Sequence, residues 1–406
     1  MNSYLTNKNF ILLISSNFIS RIGTVIYNVV LAWWITEETH SARNMGLVLA
    51  SGILPTVLFS LIGGVICDNL NKRKIIIVAD VFGGITCLGL TIMARNNIVD
   101  ILLLMLINFI LGTCSCIFKP AFKALIPDVL ANAELIAGNT VINCFTETSK
   151  VIAPAIAAAL LVIPRVGVAG AFLINSFSFF IAAFFEYFIK YTYKKDKRKL
   201  SFKMLFHDLV DGFVYVYNEK VLFISLLCIT IANFFLAPYD VLLPLFTQNI
   251  LKSDGSFYSI ILMVYSIGGI SVILITLFIK KYRLTGKLLA ITCMLLGIPF
   301  LIIGLNYNNL ITLISVFLYG LINGIFNTNF FTYIQEKTEN KYIGRIFSIM
   351  YFMAFMITPL ASLFFGFIGD YYLKYIFQIC GFIVVLIGMI YMHFISKLDI
   401  SATVTD

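Results

Sequence analysis

The feature that most constrains this chain is a series of apolar runs, most of them about twenty residues or longer, separated by short polar punctuation. A run of that length can close its own backbone hydrogen bonds as a helix and cross the roughly 30 Å hydrocarbon core of a bilayer. Twelve candidate helices are read at approximately 10–36, 43–67, 75–95, 99–118, 135–163, 168–190, 221–248, 256–279, 285–305, 309–333, 345–368 and 373–395. Charged residues make up only 12% of the chain and hydrophobic residues 60%, whereas a soluble domain carries about 25% charged residues. There is too little polar surface to coat a water-facing globule. A membrane β-barrel would show short alternating segments, and none are present. The sequence predicts an all-α polytopic membrane protein.

The net charge of +9 does not point to nucleic acid, because the bases sit between the spans. With the N-terminus in the cytoplasm, 21 of the 29 Lys and Arg fall on the cytoplasmic side. Arg43, Arg95, Arg165, Lys252 and Lys374 fall outside, and Arg21, Lys150 and Lys220 lie within or at the edge of spans. That split follows the positive-inside rule and predicts cytoplasmic N- and C-termini. Lys8 is followed by an apolar stretch longer than a signal-peptide core and no small-residue cleavage site, so no leader is predicted. Most of the eight cysteines lie inside apolar segments without metal or disulfide spacing, and the three histidines are far apart. No phosphate-binding GxxxxGK[ST] loop occurs. No metal, cofactor, ATP-driven step, enzyme chemistry or nucleic-acid partner is therefore expected.

The strongest punctuation is "KYTYKKDKRKLSFK" at 190–203, with seven bases. It divides the chain into a six-helix half, 1–193, and a second, 221–396, joined by a basic linker and amphipathic interfacial helix at 194–220 and followed by a tail at 397–406. In 204–220, Leu205, Leu209, Val210, Phe213, Val214 and Tyr217 recur at helical spacing. The halves resemble each other: Gly138 precedes Pro154 in span five as Gly344 precedes Pro359 in span eleven, about 205 residues on. Two related six-helix halves are the arrangement of major facilitator transporters.

The loop "GGVICDNLNKRK" resembles the signature of that superfamily between spans two and three, with Gly64, Asp68, Lys72 and Arg73 in place. Asn69 replaces a base, and Asn71 replaces a glycine as a residue that tolerates a left-handed turn. The resemblance implies an inner-gate latch. Asp68 would face the N-terminal end of span eleven, near Gly344 and Arg345, where partial positive charge favours an anion.

In "SKVIAPAIAA", Ser149, Ala153, Pro154, Ala157 and Ala158 are spaced like the glycine-rich antiporter signature of drug-exporting members. Small residues let helices approach closely, and Pro154 can bend the span. The expected partner is the small face Gly268, Gly269 and Ser271 of span eight. "KPAFKALIPDVLANAELIAGN" at 119–139 and "FISRIGTVIYNVVLAWW" in span one resemble the macrolide-efflux-type branch of proton antiporters. The base that many such exporters carry in span four is missing before Lys119.

Ionisable groups in hydrocarbon are functional candidates. Arg21 and Glu147 each lie about 12 residues into their spans, roughly 18 Å deep at 1.5 Å per residue, and Lys150 shares a helical face with Glu147. These three could form one buried proton-coupling cluster or a static ion pair. Asp240, between Pro238 and Pro244, is a further proton-coupling or gating candidate. Glu186, Glu37 and Glu38 lie near span ends, where water can solvate them. By the resemblance, spans one, four, seven and ten line the cavity, which makes Asn17, Asn108, Asn233, Asn323 and Asn327 lining candidates.

Together these features predict a monomeric, proton-coupled exporter of a hydrophobic or amphipathic small molecule, macrolide- or multidrug-like, in a plasma membrane. Export or flipping of an endogenous siderophore, peptide or lysophospholipid is the alternative. A non-transporting scaffold or immunity protein is the rival from another class.

Overall fold

The computed structural model describes residues 6–163, 167–190, 202–278, 285–305, 308–338 and 342–403. Within these ranges it does not describe the side chains of 60–69, 202–209, 273–278, 343–345, 348, 351, 354–355 and 398–403. The described residues are helical almost throughout. The helices are α1 (Lys8–Thr39), α2 (Ala42–Asn69), α3 (Lys72–Arg95), α4 (Ile101–Val129), α5 (Leu135–Val162), α6 (Gly167–Tyr187), α7 (Phe202–Asn218), α8 (Lys220–Leu236), α9 (Pro238–Asn249), α10 (Gly255–Phe278), α11 (Gly286–Leu305), α12 (Asn309–Lys337) and α13 (Ile343–Thr403). Tyr372 has non-helical φ/ψ and divides α13 into two stretches, while α8 and α9 follow one another as a single broken span. The amphipathic segment after the basic linker is α7, and most of the linker lies outside the described residues.

Polar side chains fix several helix starts. Asn7, Asp100 and Asn308 accept hydrogen bonds from the first free backbone N–H groups of α1, α4 and α12. Asn71 does the same for α3, accepting from Lys74 N–H at 3.2 Å. Its backbone is extended (φ −67°, ψ 109°), so it acts as a cap rather than the left-handed turn residue expected from the sequence.

The chain forms two compact units. The first comprises Met1–His40, Leu47–Leu205 and Asp254–Met263. In it α3 and α6 pack closely, with Gly84 against the Phe180 ring and the Ser176 hydroxyl donating to Gly84 O at 2.8 Å. An apolar cluster at the α1 and α3 starts and the α4 and α6 ends includes Leu13, Ile76, Leu125 and Ile189, all fully buried.

The second unit comprises Ser41–Gly46, Phe206–Ser253 and Val264–Asp406. Gly297 of α11 and Gly381 of α13 meet backbone to backbone, and Ser225 of α8 shares a 2.8 Å hydrogen bond with buried Tyr391. Backbones approach this closely in hydrocarbon only where side chains are small.

Candidate functional site

In the second unit the break in span seven shapes a cavity. Ala237 ends α8, and Pro238, which has no N–H to donate, opens α9. Seventeen helical residues precede the break and twelve follow it. Asp240 falls in the first turn of α9, where the positive end of the helix dipole favours a carboxylate. The cavity measures about 330 Å³ and is lined by α8, α9, α10, α12 and α13.

Its walls are aromatic and amide. Tyr239, Tyr265 and Tyr319 form a triad with ring centroids 5.0 to 5.3 Å apart. Phe326 and Phe330 stack one turn apart on α12. Asn323 donates to the Tyr265 hydroxyl at 2.6 Å, and Asn327 donates to both the backbone and side-chain oxygens of Asn323. Asp240, Asn233, Asn323 and Asn327 therefore meet around one space. The sequence singled out all four but not the tyrosines that pack them together.

The other two amide candidates lie in the first unit. Asn108 is buried and takes the Tyr27 hydroxyl at 2.9 Å while donating to Leu104 O. It joins α1 to α4. Asn17 is half-buried.

The charged residues of the first unit also come together. Lys150 donates to both carboxylate oxygens of Glu147, at 2.7 and 2.9 Å, in a half-exposed pair at 43% and 36%. Arg21 lies beside Glu147 without forming an ion pair, and its buried Nε has no partner. Lys119 lies near Arg21. The sequence reading ended span four at 118, but α4 continues through Pro120 and Pro127 to Val129. Lys119 is thus a helical neighbour of Arg21 and not a loop residue. A membrane helix absorbs interior prolines because nearby groups satisfy the freed carbonyls.

The loop bases bind within their own unit. Lys72 pairs with Asp128 at 2.6 Å and donates to Ala124 O at 3.0 Å. Arg73 donates to Ile189 O at 2.7 Å and lies over the Tyr187 ring. Both neutralise carbonyls at helix C-terminal ends. The side chains of Gly64, Asp68, Gly344 and Arg345, which carry the latch expectation, lie outside the described residues.

On α5, Ser149, Ala153, Pro154 and Ala157 are buried along one face, with Ala158 partly so. The helix continues through Pro154, as α13 does through Pro359. Span eight does reach this helix, but through Ser256, whose hydroxyl donates to Ala158 O at 3.4 Å. Gly268 instead lies against the Phe317–Leu321 backbone of α12, and Gly269 faces Gly320. These glycines bring spans eight and ten together.

Two acids play no part in either group. Glu186, expected near a solvated span end, is 0% exposed, and Asp80 of α3 is 3% exposed. The sequence signal for Asp80 is an acid at the sixth position of the apolar run that follows Lys74.

The chain matches the family described as "Transmembrane secretion effector" over residues 2–403. It is 23% identical over 386 residues to the Staphyloferrin A transporter of Staphylococcus aureus (strain NCTC 8325 / PS 47), covering 94% of this chain and 95% of that one. It is 24% identical over 391 residues to Macrolide efflux protein A of Streptococcus pyogenes, with the same coverage. The solved structure of the nucleoside transporter NupG aligns with a TM-score of 0.78 at 14% identity, covering 97% of this chain and 99% of that one. That likeness shows the fold: twelve spans in two six-helix bundles, the major facilitator architecture.

Proposed function

The chain belongs to the transmembrane secretion effector family of major facilitator transporters, and from that premise we propose that it exports a hydrophobic or amphipathic small molecule by proton-coupled antiport. It is a multi-pass membrane transporter and not an enzyme. In this reading it works as a monomer in a bacterial plasma membrane with both termini cytoplasmic. Its six-helix halves, 1–193 and 221–396, alternate access as a rocker switch.

The observation that carries the cargo class is the cavity of the second unit. A space of about 330 Å³ walled by tyrosine, phenylalanine and asparagine, with one carboxylate, suits a ligand with apolar bulk and a positive group. Macrolide- and multidrug-like compounds fit that description, and one relative is named a macrolide efflux protein.

A second reading rests on a different observation. In the first unit Arg21 and Lys150 lie beside the acid Glu147, and Lys119 lies near Arg21. This excess of positive charge suits an anionic endogenous cargo of siderophore type, and another relative is named a Staphyloferrin A transporter.

Reconstitution into liposomes with an acid interior tests both readings. Uptake of erythromycin or tetraphenylphosphonium, accompanied by proton efflux, is the expected result. Uptake of an anionic siderophore alone would favour the second reading. If a broad panel moved neither cargo nor protons, the transport reading would fail and a scaffold role would replace it.

A further inference from the structure

Asp80 of α3 and Glu186 of α6 are both buried, one helical turn from Ile76 and Ile189, which belong to a single apolar cluster. Glu186 has both carboxyl oxygens buried without a hydrogen-bond partner, and Asp80 Oδ2 is in the same state. Among the described residues, those placed beside them bring no counter-charge. Ser16 of α1 lies beside Glu186, but its hydroxyl is given to Leu13 O at 3.0 Å. Cys114 of α4 lies beside Asp80 and brings no positive charge.

Lys74, one residue closer to Asp80 along α3 than Arg73, and Lys190, four residues beyond Glu186, are exposed, and the other bases of these helices are committed elsewhere. Arg73, about 10 Å away along α3 at 1.5 Å per residue, holds Ile189 O. Arg21 faces Glu147 and Lys119. On α5, Lys150 is paired with Glu147.

The site is also closed from one end. One helical turn from Ser16, Asp80 and Glu186, on the side where α1 and α3 begin and α6 ends, stand Leu13, Ile76 and Ile189, each 0% exposed. On the other side the neighbours are small: Gly83 and Gly84 on α3, Ala182 and Ala183 on α6. Two carboxylates placed side by side in such surroundings cannot both keep their charge without a cation.

We propose that Asp80 and Glu186 form a proton-binding site in which the two carboxyls share at least one proton at neutral pH. A proton held between them removes one of the two charges that this interface leaves unbalanced. The apolar layer of Leu13, Ile76 and Ile189 closes the way to the nearer end of the bundle, so proton exchange requires local parting of α1, α3 and α6. This site is separate from Glu147 and Asp240. Only its use as a coupling site rests on the proton-driven reading of export; its occupancy does not.

The test is infrared spectroscopy of the full chain in detergent at pH 7. The wild type should show a protonated-carboxyl C=O band that shifts in Asp80→Asn and in Glu186→Gln and is lost in the double variant, equally in sodium and in choline chloride. A band that the double variant leaves unchanged would overturn the proposal, as would one that sodium abolishes, which would mark a metal-cation site. Should either variant fail to fold, dicyclohexylcarbodiimide, which attacks protonated carboxyls in apolar surroundings, can be mapped on the wild type. An adduct on Asp80 or Glu186 is expected, and its absence from both counts against the site. A preparation that keeps the band but shows no proton-driven uptake would refute the function proposed above and leave this pair standing.

Discussion

Replacing Asp240 with Asn keeps the shape of the cavity wall and removes its only acid among the described lining residues. The cavity of about 330 Å³ is only about 7 Å across if it is equant. A cationic group bound inside it therefore lies roughly 5 Å from the carboxylate, where an effective dielectric of about 20 gives an attraction of ~3 kcal/mol. Dehydration of the charges returns part of that, leaving about 1.5–2 kcal/mol, or roughly a 10- to 30-fold loss of affinity. Tetraphenylphosphonium is a suitable probe because it is bulky, aromatic and weakly hydrated. Equilibrium binding of the labelled cation to purified wild type and Asp240→Asn measures the loss, and a neutral triphenyl analogue serves as the control. The reasoning is refuted if the variant binds the cation as tightly as wild type, or if the neutral analogue loses as much.

Glu147→Gln should abolish uptake driven by a pH gradient while membrane protein levels stay unchanged. Because the pair it breaks is half-exposed, its stability cost should stay below about 1 kcal/mol; undiminished proton-driven uptake removes Glu147 from the coupling scheme. Gly320→Val should drive a side chain into the Tyr265 carbonyl across the α10–α12 contact. Overpacking of this kind costs about 1–3 kcal/mol, visible as a lower melting midpoint in detergent. An unchanged midpoint would mean that the two helices are not held together there.

The spans were legible because a long apolar run in a chain so poor in charge has one stable outcome, and the cavity residues because amides and an acid in such runs stand out. What the sequence hid depends on neighbours from other helices. Span four was cut short because "KPAFKALIP" has the prolines and bases of a loop, whereas the folded bundle carries the helix on to Val129 and brings Lys119 to Arg21. Gly268 and Gly269 lie against α12, and a glycine pattern alone does not say which helix approaches. Asn71 tolerates a left-handed backbone and also caps helices, and the free N–H groups at the start of α3 selected the second use.

The charged residues carry the sharpest lesson of this kind. Depth alone ranks Glu147 as the strained acid and Glu186 as a solvated one. Their neighbours reverse that order. Glu147 carries its own counter-ion one turn along the same helix and is half-exposed. Glu186 sits next to the end of α6, yet α1 and α3 cover it completely and place a second acid beside it. An isolated acid in hydrocarbon can be relieved by a base on its own helix, which a sequence displays as an i, i+3 or i, i+4 pair. Two acids facing each other from different helices have no such relief, and only a proton or another cation drawn from solution can balance them. If an ion is taken up and released as this protein works, the place where its absence would be most costly is the α3–α6 interface, not the charged pair on α5.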